Sequence, residues 1–391
     1  MQVPLLDLKA QFQQIRDEIN RAIAEVVESQ EFILGPKVED LEKAVAAYSG
    51  TSHAIGVSSG TDALLVAMMA LGIGPGDEVI TTPFSFFATA GVIARLGATP
   101  IFADIEPNTF NIDAPRVYRA ITKRTKAILP VHLFGQCADM DPILEMAKDR
   151  GLPVIEDAAQ SIGAEYGDGG KRAGSLGTIG AFSFFPSKNL GCFGDGGMVT
   201  THDAGLAEKI RALRHHGAKR AYDHQMVGGN FRLDALQAAV LGVKLEYLDR
   251  WSEARRENAK YYDRRLNEEG LVDNRHVQTP QAIYARSGNK NYHIYNQYTL
   301  RVKDRDALKS HFAASGIGCS VYYPIPLHLQ ACFIGLGHRA GSFPASERAA
   351  EEALSIPVYP ELTFEQKEYV VQTLVSFYRG RRRTEEAGGG R

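Results

Sequence analysis

Between residues 54 and 156, short apolar runs and amphipathic stretches take turns, and no other feature of this 391-residue chain restricts its fold as much. The spacing predicts strands at 54–57, 78–81, 100–104, 127–131 and 153–156, with helices at 62–71, 88–96, 114–121 and 140–150 between them. These strands are too apolar to leave one face wet, so they belong in a mainly parallel α/β sheet covered by helices on both sides. Ligands of such a sheet sit at the carboxyl ends of its strands.

The flanks are helical in pattern. Leu8, Phe12, Ile15, Ile19, Ile23 and Val26 mark a helix over 8–30, and a second covers 38–48 before Ser49-Gly50 stops it. Beyond Thr201 the alternation ends. Helices are expected at 204–214 and 233–246, the latter continuing through a charged stretch at 246–267 that bridges into a smaller α+β domain. That domain takes strands near 295–302 and 319–323 and helices at 305–314 and 346–354. The expected division is a large domain at 1–250, a small one at 251–379, and a disordered tail at 380–391 with no periodicity.

Composition removes several classes of function. Lys and Arg number 44 against 46 Asp and Glu, a net charge of −2, which gives no field for nucleic acid or an anionic membrane. Cys137, Cys192, Cys319 and Cys332 form no CxxC pair, which argues against a zinc or iron–sulfur site and against a disulfide framework. His215 and His216 are adjacent and would point apart on a helix, so no metal is expected. The first residues bring Asp7 and Lys9 before any long apolar stretch, unlike a secretory signal. The longest apolar run, 63–71 continuing into Gly72-Ile73, is too short to span a bilayer. A soluble cytoplasmic protein is expected.

Four segments carry chemistry. Gly56-Val57-Ser58-Ser59-Gly60-Thr61-Asp62 lies between a strand and a helix, where free N–H groups can face an anion; the same residues also suit a plain helix cap. Pro83-Phe84-Ser85-Phe86-Phe87-Ala88-Thr89 follows a strand end, where a phenylalanine either stacks on a planar ring or packs in the core. Glu156-Asp157-Ala158-Ala159-Gln160 puts carboxylates at the end of a buried strand, a costly place without a cationic partner. The alternative for Asp157 is a helix cap. Finally, Ser183-Phe184-Phe185-Pro186-Ser187-Lys188 sets a lysine after an apolar strand and before a glycine-rich turn, where its pKa can fall far enough for imine chemistry. In order, these segments offer an anion cradle, a ring stack, a partner for a pyridinium nitrogen and a nucleophilic amine. Pyridoxal 5′-phosphate (PLP) needs that set.

With Asn230-Phe231-Arg232-Leu233-Asp234 and Tyr323-Pro324-Ile325-Pro326-Leu327-His328 added, the chain resembles the DegT-type sugar aminotransferases from Leu5 to about Tyr378. The resemblance implies a fold type I PLP-transferase. It implies that Lys188 holds the cofactor covalently and shuttles the proton, that Asp157 pairs with the ring nitrogen, and that Gln160 approaches the ring hydroxyl. Phe86 would stack on the ring, while Gly60, Thr61 and Ser183 hold the phosphate. Asn230 would reach the phosphate of a neighbouring subunit's cofactor, which makes the active unit a homodimer. Arg232 and His328 are candidates for contacting the nucleotide-sugar or the amino donor's carboxylate, and Tyr323 for contacting substrate.

The implied reaction moves an amino group from L-glutamate to a nucleotide-linked keto-hexose. The 3-position of UDP-2-acetamido-3-keto-glucuronate comes first, on overall resemblance; a dTDP-3-keto-6-deoxyhexose and a 4-keto sugar follow. A sugar dehydratase of the same fold would carry histidine at the lysine position or an iron–sulfur cluster, and a non-catalytic regulator would ordinarily have lost Asp157 or Lys188. Lys188 and Asp157 are both present. A cysteine-dependent lyase would have only Cys192 near the lysine, where a buried structural role is the other reading.

Overall fold

The computed structural model describes residues 1–220, 222–272 and 276–388. Its first two helices are α1 (Leu8–Ser29), capped by Asp7, whose carboxylate accepts from the N–H groups of Lys9 and Ala10, and α2 (Pro36–Ser49). The alternating region follows as β1 (His53–Val57), α3 (Gly60–Ala70), β2 (Glu78–Thr81), α4 (Ala88–Arg95), β3 (Thr99–Phe102), α5 (Ala114–Ala120), β4 (Thr125–Ile128), α6 (Met140–Arg150) and β5 (Ile155–Asp157). A small ribbon of β6 (Glu165–Tyr166) and β7 (Lys171–Arg172) precedes β8 (Ile179–Ser183) and β9 (Gly197–Thr201).

Parallel pairs join β5 to β8 and β2 to both β3 and β4, and β9 runs antiparallel between β1 and β8. Bridges Ile128↔Val154 and Val131↔Asp157 connect β4 to β5. The result is one seven-stranded sheet in the order β1-β9-β8-β5-β4-β2-β3, parallel except for β9. Alternate residues feed two cores: Ala54, Ile80, Ile128, Val154, Phe182 and Met198 pack on one face, and Ile55, Val79, Ala127, Ile155, Ala181 and Val199 on the other. With a period of two and both faces apolar, neither face can be left to water. The long apolar run at 63–71 is explained by α3, which is buried nearly all round in the second of these cores.

The chain continues through α7 (Ala204–Arg214), the ribbon β10 (Ala218–Arg220) and β11 (Asp223–His224), α8 (Ala235–Leu245) and α9 (Leu248–Glu268). Trp251 near the start of α9 packs with Ile15, Ile19 and Val240, whereas Ala259, Tyr262 and Leu266 join a separate core further on. That second core is built on an antiparallel sheet of β12 (Val277–Gln278), β13 (Tyr298–Val302) and β14 (Ala353–Ile356), with α10 (Arg305–Ala314), α11 (Pro344–Glu352) and α12 (Phe364–Gly388) around it. Val3 reaches this core through a parallel bridge to Ile317.

Two expected elements differ. Residues 319–323 make only an isolated bridge, Ser320↔Ser355, because Pro324 and Pro326 beyond them lack the N–H groups that would extend a ladder. The helix expected over 346–354 stops at Glu352, and Leu354 lies in β14, where pairing with β13 and burial on both faces override helical spacing. Helix α12 runs on through Gly388, across most of the segment expected to be a structureless tail; residues 389–391 lie outside the described residues. Among the described residues no helix is long and apolar enough to cross a membrane.

Candidate active site

Adjacent carboxylates at the end of β5 point to opposite faces of the sheet. Glu156 is fully buried and accepts four hydrogen bonds: from Gly174 N–H (2.8 Å), Leu176 N–H (2.8 Å), Gly177 N–H (2.6 Å) and His132 Nε2 (2.8 Å). His132 Nδ1 accepts from the Ala138 N–H at 3.1 Å, so the imidazole proton sits on Nε2 and is donated to Glu156. These donors replace the water lost on burial, and Glu156 is tied into the architecture.

Asp157 faces the cleft. Its Oδ2 accepts from Thr89 Oγ1 at 2.8 Å, and its Oδ1 from the Ala159 N–H at 3.3 Å. Thr89 has spent its only proton there, so Ser85 Oγ, 2.9 Å away, donates to it. Burial raises the pKa of Asp157, against the pull of Thr89, Ala159 and the charge of Lys188. Its backbone is fixed by bonds to Pro130 and His132.

Opposite lies the start of α3. Ser59 caps this helix, accepting from the Asp62 N–H at 3.0 Å and donating back to its carboxylate. The cap is therefore supplied by Ser59, and the N–H groups of Gly60 and Thr61 are left without an acceptor among the described residues. A Cβ on Gly60 would lie 2.5 Å from Ser183 Cβ, so only glycine lets the end of β8 lean over the helix start. Two N–H groups, two hydroxyls and the positive end of an eleven-residue helix form an anion cradle.

Lys188 follows β8 in a tight loop. Its N–H bonds to Phe185 O at 2.8 Å, and Asn189 secures the next position, donating to Ile294 O at 3.0 Å and accepting from Asn296 at 2.7 Å. Gly191 comes so close to the chain that a Cβ would lie 2.3 Å from Pro186 O. Burial lowers the Lys188 pKa to about 8, while the Asp157 carboxylate opposes the shift. Gln160 is held at both ends of its amide: Oε1 accepts from the Phe134 N–H at 2.7 Å and Nε2 donates to Tyr323 Oη at 3.1 Å. Phe86, 58% exposed, stands 6.4 Å from the Tyr323 ring, whereas Phe84 is fully buried against Phe110. The packing alternative applies to Phe84 and not to Phe86.

Gly60, Thr61, Phe86, Asp157, Gln160, Ser183, Lys188 and Tyr323 thus line one cavity of 430 Å³. Three other sequence candidates do not. Asn230 is exposed, in a bridge with His215, and Arg232 Nη1 meets His215 Nδ1 at 2.8 Å. His328 is fully buried beneath Phe343, with Nε2 3.0 Å from Glu347, and cannot touch a ligand in the cavity. Cys192 gives its thiol proton to backbone carbonyls of Phe184 and Gly194, and burial pushes its pKa up to about 11, which suits structure better than nucleophilic attack. Sequence reading missed Ser85 and Thr89 as supports of Asp157, although two hydroxyls four residues apart inside a phenylalanine-rich segment were a usable signal. It also missed Gln297 on the cavity wall, which no local pattern marks.

The profile of the DegT/DnrJ/EryC1/StrS aminotransferase family matches residues 13–375. The chain belongs to this family. It is a sugar aminotransferase of fold type I and depends on PLP; the free cradle N–H groups, the buried Asp157 and the depressed amine of Lys188 fit the phosphate, ring nitrogen and aldehyde of that cofactor. The sugar aminotransferase is 53% identical over 379 residues to a "Pleiotropic regulatory protein" of Geobacillus stearothermophilus, covering 97% of this chain and 99% of the relative. It is 45% identical to the UDP-N-acetyl-3-dehydro-α-D-glucosamine 3-aminotransferase of Acidithiobacillus ferrooxidans (93% and 95% covered). It is 44% identical to the UDP-2-acetamido-2-deoxy-3-oxo-D-glucuronate aminotransferase of Pseudomonas aeruginosa (92% and 96% covered). Its fold is similar to the crystal structure of DesV from S. venezuelae in complex with a ketimine intermediate, with a TM-score of 0.89, 42% identity, and 96% and 98% of the two chains covered.

Proposed function

We propose that this aminotransferase moves the amino group of L-glutamate to the 3-keto carbon of UDP-2-acetamido-3-keto-glucuronate, for amino-sugar and surface polysaccharide synthesis. The observation that carries the catalytic part is the convergence of Lys188 and Asp157 on one cavity with opposite pKa shifts. The relatives named for 3-keto UDP-sugars at 44–45% identity support the substrate. A dTDP-3-keto-6-deoxyhexose is the second reading, supported by a relative from Streptomyces venezuelae named dTDP-3-amino-3,4,6-trideoxy-α-D-glucose transaminase, 44% identical. A purely regulatory role, which the name of the 53% identical relative raises, is opposed by the intact lysine, aspartate and cradle.

Bound PLP supplies an electron-withdrawing ring that makes the substrate carbon acidic. Lys188 Nζ, which loses its own proton as pH rises through about 8, would take the proton from that carbon and pass it to the cofactor. Asp157, oriented by Thr89 and Ser85, would keep a proton at the ring nitrogen. Gln160 would contact the ring hydroxyl, Phe86 would cover the ring face, and Gly60, Thr61 and Ser183 would hold the phosphate. Tyr323 meets the sugar. A second copy of the chain brings Asn230 and Arg232 to the cavity mouth. The exposure of Phe86, Phe185 and Val227 (58%, 53% and 89%) supports such a partner. Four free cysteines suit a reducing cytoplasm.

The test is the visible spectrum of the purified holoenzyme. L-Glutamate should bleach the cofactor band, and so, in separate samples, should the 3-amino UDP-glucuronate and no other nucleotide amino sugar. A cofactor that responds to no amine would sink the reading; a response to a dTDP-3-amino sugar alone would move the second substrate to the front.

A further inference from the structure

Behind Tyr322 lies a second, smaller cavity of 60 Å³, too small for a sugar ring. It shares Ser187, Gln297 and Tyr322 with the catalytic cavity, so the two adjoin through the residue that precedes Lys188. Its inner wall holds one charged group, Arg255 of α9, only 4% exposed. Arg255 Nη1 donates to the carbonyls of Tyr295 and Asn296 at 3.1 and 3.4 Å, but its Nε has no partner among the described residues. Gln297 Oε1 is likewise buried and unpartnered among the described residues. Glu361 is the nearby carboxylate that acts on Arg255 electrostatically, but among the described residues it makes no hydrogen bond to the guanidinium. Among the described residues the guanidinium thus hydrogen-bonds to neutral carbonyls alone, with Glu361 near but not bonded to it, an arrangement that leaves room for an anion. Leu5, Leu6, Ile356 and Val358 complete the wall with apolar surface.

We propose that this side cavity seats a carboxylate of the amino donor, with Arg255 as its counter-charge and Gln297 as its second hydrogen-bonding contact. The inference rests on reading the chain as a glutamate-dependent aminotransferase. A carboxylate here accepts from Arg255 Nε; the Gln297 amide, turned over, offers its NH₂ in place of the unpartnered oxygen. The apolar wall receives the donor's methylene groups. A nucleotide sugar entering from the catalytic cavity cannot follow, so donor and acceptor share Lys188 while their distal groups go to different places.

The two half-reactions separate this proposal from the reading it rests on. Holoenzyme of the wild type, Arg255→Gln and Gln297→Leu is mixed with L-glutamate, and separately with the amino sugar, and the cofactor spectrum is followed. The expected result is a rise of roughly tenfold or more in half-saturating glutamate relative to half-saturating amino sugar in both variants. Glutarate, a dicarboxylate without an amine, should bind wild-type holoenzyme by calorimetry and lose affinity in step. Unchanged glutamate saturation in Gln297→Leu overturns the proposal even if Arg255→Gln fails to fold. A defect confined to the amino-sugar half-reaction overturns it too, because the cavity then serves the sugar's own carboxylate. Wild-type enzyme that ignores glutamate removes glutamate as the donor and the proposal with it.

Discussion

Thr89 Oγ1 donates a 2.8 Å hydrogen bond to Asp157 Oδ2 across 68 residues of sequence, and Ser85 Oγ completes the relay. A buried carboxylate that loses its one side-chain donor is less well held and less able to stay charged. Thr89→Val, nearly isosteric, should therefore lower kcat by roughly tenfold, the value of about 1.5 kcal/mol for a hydrogen bond to a charged group. Steady-state kinetics check this, with a Thr89→Ser variant that restores the rate.

The two carboxylates of β5 should give opposite phenotypes. Asp157→Asn removes the charge opposite the ring nitrogen and should cost about 10²-fold or more in kcat with little loss of Tm. Glu156→Gln cannot accept from all four of its donors and should lower stability by about 2–4 kcal/mol, read from denaturant unfolding.

Lys188, with its pKa lowered to about 8, is neutral only as pH rises through that value. The rate at which apoenzyme captures PLP covalently should climb with pH and level off above about 8, whereas an ordinary lysine would keep gaining toward 10.5. Between these pH values the unfolded chain binds the proton that the folded one has lost, so apoenzyme stability should also rise with pH.

The cradle predicts a rescue. Gly60→Ala sets a Cβ 2.5 Å from Ser183 Cβ and should weaken PLP binding by roughly 10- to 100-fold. Adding Ser183→Gly removes the clash and should recover part of the affinity, measured by equilibrium dialysis of the cofactor.

His328 should behave as a structural residue. Its ring lies 4.7 Å from that of Phe343 and its Nε2 bonds to Glu347, so His328→Ala should cost about 2–4 kcal/mol of stability while leaving KM for both substrates nearly unchanged.

Asp157 and Lys188 were legible in the sequence because their surroundings are local. One ends an apolar strand, the other follows one, and parallel α/β topology brings both strand ends to a single edge. Most of the sheet was legible for the same reason: strands and helices that follow one another closely carry their periodicity with them. Thr89 was not, since what makes it useful is a partner 68 residues on. His328 was misplaced by its motif: after Pro326 a single 3₁₀ turn, Leu327–Leu329, swings the imidazole inward, while Tyr323 from the same motif reaches the cavity. Residues 319–323 read as a strand until the pairing geometry is known. Arg255 and Gln297 carry no local mark at all; only packing of α9 against the 295–297 segment brings them together.

Glu156 also ties the reporter to the scaffold. Its four bonds gather the 174–177 loop, His132 and the end of β5 at one point, one residue away from the carboxylate that tunes the cofactor's colour. Loosening of that corner, by heat or denaturant, cannot leave Asp157 where it was. The visible spectrum of the holoenzyme is thus a built-in gauge of local melting, and it should change before the circular dichroism of the helices does.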